Sequence, residues 1–174
     1  MRPEAARVRP HRIAVVGAGS WGTVLADLLA RNGHRVELWA REPEIVEQVN
    51  AWHENGLFLK GTRLAEPLTA TADLNRAVAG KELVVMAVPS HHLRAVAAAL
   101  CGSLEPRAAV VSVSKGIEND TDLTMTGVLK ETLGLADDRL AVLSGPSFAV
   151  EVARRMPTVV TVASRKTELA RAVQ

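Results

Sequence analysis

IAVVGAGSWG, residues Ile13–Gly22, joins an apolar run to three glycines in the pattern G-x-G-x-x-G. Ile13–Val16 is short, rich in β-branched residues and closed by Gly17, so it reads as a strand covered on both faces. Ser20–Arg31 follows as a helix with Leu25, Leu28 and Leu29 on one face, and Asn32-Gly33 supplies a left-handed stop. Between a strand and a helix each glycine has its own task. Gly17 permits the tight turn, Gly19 lets backbone approach a diphosphate, and Gly22 lets the helix pack close to the sheet. Unpaired amides of the first helical turn then face the anion. Three glycines can also make a merely structural turn, but the flanking strand and helix favour the dinucleotide reading.

The same alternation continues outward. Val36–Trp39 reads as a strand, and Pro43 suits the first turn of a helix reaching about Trp52. Asn55–Glu66, with Gly56 and Gly61 inside it and Pro67 just beyond, reads as a loop. Asp73 is placed to cap a short helix that ends near Gly80. Strands are predicted at Leu83–Val88, Val110–Val113, Leu140–Leu143 and Thr158–Val162. Helices are predicted at His92–Leu100, Leu123–Leu133 and Phe148–Arg155, with another beginning at Glu168. Strands and helices alternating at this spacing imply right-handed crossovers and a doubly wound, mainly parallel, Rossmann-like α/β sheet with helices on both faces. Ligands bind such sheets beyond the carboxyl ends of the strands. The residues to read for chemistry are therefore 17–22, 40–42, 89–92, 114–116 and 144–147.

Composition agrees with one globular domain. The 174 residues are 48% hydrophobic but only 3% aromatic, so Val, Leu, Ile and Ala must build the core. So few aromatics argue against a stacking surface for nucleic acid. The net charge of +2 owes much to Arg2, Arg7, Arg9 and Arg12 near the start, and residues 1–11 are expected to be a disordered basic terminus. The one cysteine, Cys101, reads as a small packing residue; it excludes an intrachain disulfide and suits a reducing, cytoplasmic setting. No signal peptide or membrane span is expected.

At the end of the second strand, where an acid for the ribose 2′-hydroxyl is usual, stands Arg41 with Glu42 next to it. Arg41 facing a 2′-phosphate favours NADP(H); with Arg41 in solvent and Glu42 as the acid, NAD(H) is the alternative. Lys115, just past a buried strand and followed by Gly116, is either a plain surface lysine or a cation aimed at a developing oxyanion. Ser147 is read as a helix N-cap, as a donor to an anionic substrate, or as both. His91 and His92 diverge on a helix and lack a Cys or acidic cluster, so no metal site is expected.

GAGSWGTVLA (17–26), NGLFLKG (55–61), VPSHHLR (88–94), SKGIE (114–118), LSGPSFAVE (143–151) and PTVVTVAS (157–164) together resemble the bacterial-type NAD(P)-dependent glycerol-3-phosphate dehydrogenases. The likeness runs from about Arg12 to Gln174. It implies reversible reduction of dihydroxyacetone phosphate to sn-glycerol 3-phosphate for glycerophospholipid synthesis. It also implies cofactor contacts from Ser20, Trp21, Arg41, Phe58, Lys115 and Ala149, and substrate contacts from Lys115, Gly145 and Ser147. Lys60 stands where the family usually has proline.

The family's second, helical domain, which supplies the proton-transferring lysine and contributes to homodimers, has no counterpart here. The helix begun at Glu168 reaches Gln174 uncapped. Residues 12–174 are therefore expected to be the cofactor-binding domain alone, with little turnover by itself. Two other readings are a stand-alone NAD(P)-binding sensor and another two-domain hydroxyacid or sugar-acid dehydrogenase. The SKGIE and GPSFA stretches speak against the latter.

Overall fold

The computed structural model describes residues 9–174; most of the basic terminus lies outside them. Of its last residues, Arg9 and His11 rest against Glu82. Strand β1 (Arg12–Val16) lies inside the sheet because its apolar residues are wanted on both sides. Ile13 and Val15 enter one core cluster, Ala14 and Val16 the other, each at most 2% exposed. Burying a Val or Ile stabilises by about 1.5–3 kcal/mol, more than any single cap, so this strand dictates the layering.

Around it lie α1 (Ser20–Arg31), β2 (Arg35–Trp39), α2 (Pro43–Trp52), β3 (Thr69–Thr71), α3 (Leu74–Val78), β4 (Leu83–Met86) and α4 (Ser90–Ala99). Then follow β5 (Ala109–Ser112), α5 (Met125–Leu133), β6 (Leu140–Ser144), α6 (Ala149–Ala153), β7 (Thr161–Ser164) and α7 (Thr167–Val173). The sheet order is β3-β2-β1-β4-β5-β6-β7, with every neighbouring pair parallel except β6 and β7. Strand order reverses between β2–β1 and β1–β4, which opens the crevice beyond the end of β1. The expected doubly wound α/β architecture is what forms.

Capping follows the local chemistry. Asp73 accepts from the Arg76 amide to start α3, and Gly134 in the left-handed region ends α5. Four details depart from expectation. Strand β3 is too short to announce itself; it is held by Asn50, whose amide side chain pairs with both backbone groups of Ala70 at 2.9 and 2.8 Å. Strand β7 begins at Thr161 rather than Thr158, and runs antiparallel, because residues before it first cross beside Gly145. Leu28 is 42% exposed, since α1 approaches the sheet through Gly22, Ala26 and Ala30 and turns its bulkier residue aside. Cys101 is exposed, because Leu100 takes the inward position.

The loop after α2 is tied to the glycine turn by a buried side chain. Asn55, fully buried, donates to Ala18 O at 2.9 Å and to Thr23 Oγ1 at 2.8 Å, and accepts from the Phe58 amide at 3.0 Å. Farther along, Asp27 accepts from the Ala65 amide at 2.6 Å and from Arg31 Nε at 2.8 Å. These anchors hold the loop on both sides of Lys60.

Candidate dinucleotide and substrate site

The three glycines of the first turn meet three different surroundings. Gly17 has φ +114°, and a Cβ there would sit 2.8 Å from Ala87 O. At Gly22 a Cβ would lie 1.9 Å from Gly17 O. At Gly19 it would meet nothing within 4 Å. Two glycines thus close the corner and the third leaves bare backbone facing open space. Gly19 is also the N-cap of α1, where no side chain satisfies the first-turn amides and no acidic residue lies in the first turn. The corner has the shape and polarity for a diphosphate.

Where β2 ends, Ala40 is buried and Arg41 is not: its side chain is 74% exposed, with Nε and Nη2 3.2 and 3.1 Å from Glu42 Oε1. Glu42 is the N-cap of α2 but makes no side-chain cap bond. Both residues therefore remain available at this strand tip. Trp39 is committed elsewhere, its indole donating to Ala72 O at 3.0 Å.

At the other strand ends, residues remote in sequence converge. Lys115 Nζ donates to Gly145 O at 3.0 Å, and the Ser147 amide donates to the same carbonyl at 3.0 Å. Gly145 has φ +149°, with Val159 O 2.9 Å from a would-be Cβ, so no other residue fits there unstrained. Ser147 is not a helix cap: α6 starts at Ala149 with Phe148 as its N-cap, and Ser147 Oγ lies 3.5 Å from Gly145 O. The turn around Gly145 delays the helix by one residue and turns the hydroxyl inward.

Ala149 packs on the core at the start of α6. Phe58 is placed apart from the Lys115 cluster, in a cleft of about 1210 Å³ over the outer side of α1, lined also by Leu28, Val150 and Arg154. The rings of His91 and His92 do not diverge; they lie 4.1 Å apart on the exposed start of α4. Among the described residues no three His, Cys, Asp or Glu side chains gather as a metal site, and no helix is long and apolar enough to cross a membrane.

An ion-pair network escaped the sequence reading. Arg94 on α4 grips Glu118 through two bonds of 2.9 and 2.7 Å and reaches Glu131 on α5 at 2.7 Å. The bonds from Arg94, then that from Thr121, hold the Glu118 carboxyl down to about 2. A folded-state value below the ordinary one means that the stabilisation is present above about pH 4.5 and is lost as pH falls through the folded value near 2. Urea melts should therefore show a gap between the unaltered chain and Glu118→Gln that is constant at neutral pH and closes below about pH 4.5. A gap unchanged at pH 3 would contradict this pairing.

The family described as NAD-dependent glycerol-3-phosphate dehydrogenase, N-terminus, matches residues 12–170. The glycerol-3-phosphate dehydrogenase (NAD(P)+) of Myxococcus xanthus is 53% identical over 154 residues, covering 88% of this chain and 46% of that protein. The crystal structure of glycerol-3-phosphate dehydrogenase from Coxiella burnetii superposes with a TM-score of 0.87 at 33% identity, over 94% of this chain and 50% of that one. A UDP-glucose dehydrogenase from Pyrobaculum islandicum shares the fold alone, with a TM-score of 0.72 at 22% identity over 99% of this chain and 44% of that one. The chain spans about half the length of the curated relatives it matches.

Proposed function

Because the chain belongs to the family of NAD-dependent glycerol-3-phosphate dehydrogenases, through its N-terminal part, we propose that it is the cofactor-binding portion of an enzyme reducing dihydroxyacetone phosphate reversibly to sn-glycerol 3-phosphate. In this reading the enzyme is cytoplasmic and feeds glycerophospholipid synthesis. The observation that carries it is the open backbone at Gly19, at the head of a helix with uncapped amides, on the same sheet edge as Lys115, Gly145 and Ser147.

Gly17, Gly19, Ser20, Trp21 and Gly22 cradle the diphosphate. The nicotinamide cofactor supplies the hydride when bound. Reduction of a ketone leaves negative charge on the carbonyl oxygen, and a preorganised cation beside it is among the largest catalytic contributions available. Lys115 supplies that cation. Its present acceptor, Gly145 O, holds the ammonium at the mouth of the site until a substrate oxygen replaces it. Ser147 adds a hydroxyl, and Gly145 gives its main chain, turned by a φ of +149°, to the substrate end of the site.

For the cofactor we propose NADP(H) ahead of NAD(H). Arg41, itself 74% exposed, is held by the half-buried Glu42 carboxylate, and pairs with so exposed a partner are worth at most about 1 kcal/mol. Charge-assisted bonds to a 2′-phosphate are worth about 1.5–3 kcal/mol, roughly 10- to 150-fold in affinity, so the phosphate wins Arg41 from Glu42. Titrating the chain with NADPH and with NADH, followed by fluorescence, tests both statements. Arg41→Ala should weaken NADPH about 10- to 100-fold and NADH less than about threefold. Equal losses would overturn the NADP(H) preference, and binding of neither nucleotide would overturn the whole reading.

A further inference from the structure

Lys115 is useful as an electrostatic catalyst only if its ammonium is fixed, yet packing does little to fix it. Lys115 is exposed, and Ile117, two residues on, is 62% exposed and buries little against the core. The segment is instead stretched between two polar posts. On one side the Ser114 hydroxyl bonds Val88 O at 2.5 Å. On the other stands Glu118.

Glu118 is engaged at every polar group it has. Its amide donates to Leu123 O at 2.8 Å, its carbonyl accepts from the Asp122 amide at 3.1 Å, and its carboxylate takes Thr121 Oγ1 at 2.7 Å as well as the Arg94 fork. An Ile117–Thr124 bridge closes the loop around it. Arg94 in turn comes from α4, which begins with Ser90 shortly after β4, and Ser90 Cβ lies 3.0 Å from where a Cβ on Gly116 would be. A guanidinium fork fixes direction as well as distance, which a single point charge does not.

We propose that Arg94 and Glu118 are positioning residues for Lys115: their paired fork ties the β5–α5 loop to α4 and so holds the Lys115 ammonium at Gly145. The proposal rests on Lys115 being the ligand-facing cation. The fork is bidentate and its carboxylate is largely covered, so the pair contributes to stability as well as to the geometry of the loop, and the test reads the two separately.

The test uses the 174-residue chain with Arg94→Ala, Arg94→Lys and Glu118→Ala, each checked by thermal melting, and has two readouts. The first is the rate of reductive methylation at each lysine, followed by mass spectrometry. Methylation of Lys115 should quicken at least about threefold in Arg94→Ala and Glu118→Ala, less in Arg94→Lys, while Lys60 and Lys166 keep their rates. The second is NADPH affinity, expected to fall about tenfold in Glu118→Ala but no further when Lys115→Ala is added to it, because the two act through one group. Unchanged Lys115 methylation, or additive affinity losses, would overturn the proposal even if melting temperatures drop. If the unaltered chain binds no NADPH, the dinucleotide reading falls, and the methylation rates still decide whether the clamp exists.

Discussion

Alanine at position 22 is expected to lower the unfolding free energy by about 3 kcal/mol, a fall of roughly 6–12 °C in melting temperature for a domain of this size. Two effects oppose each other. Alanine is the better helix former by about 1 kcal/mol, so propensity alone predicts a stabilised α1. Against that, the new methyl group would stand 1.9 Å from Gly17 O and 3.1 Å from Ala87 Cβ. The first of these is backbone, locked by the turn itself, and cannot swing away as a side-chain tip can. Relief requires lifting α1 off β1 and β4, and with it the buried Ala26 and Ala30. Sterics win. A Gly22→Ala chain as stable as the unaltered one would show that the helix does not rest on the turn as described.

Gly19→Val should give the opposite result. The position is open, and its φ of −64° and ψ of 177° suit any residue, so stability should change by no more than about 1 kcal/mol, mostly from a poorer N-cap. Dinucleotide affinity should nevertheless fall by about 100-fold or more, since the branched side chain fills the space a diphosphate needs and masks the amides behind it. Fluorescence titration with NADPH checks this. Unchanged affinity would move the diphosphate away from this corner.

These paired outcomes reflect what a linear sequence can carry. The first strand and the first helix are legible because local signals agree: a β-branched run, three glycines at fixed spacing, and an Asn-Gly stop. Asp73 and Gly134 were equally plain, since capping is a matter of neighbours within one turn. What stayed hidden depends on partners far along the chain. Nothing about Asn55 in a polar loop says that it will satisfy the carbonyl of Ala18, 37 positions earlier. Glu118 lies in the SKGIE stretch of a loop, but its partner Arg94 is 24 positions away on α4. Of the two readings open for Ser147, the helix cap fails because local sequence does not reveal that the turn at Gly145 postpones the helix. Strand β3, three residues long, offers no periodicity to read.

The reversed direction of β7 also has a chemical effect. Had it run parallel, its exit loop would have met the ligand edge; running antiparallel, it brings its entrance there, with the Val159 carbonyl and the Val160 main chain against Gly145. The orientation of one short edge strand thus dictates that position 145 carry no side chain, beside the carbonyl that receives the Lys115 ammonium.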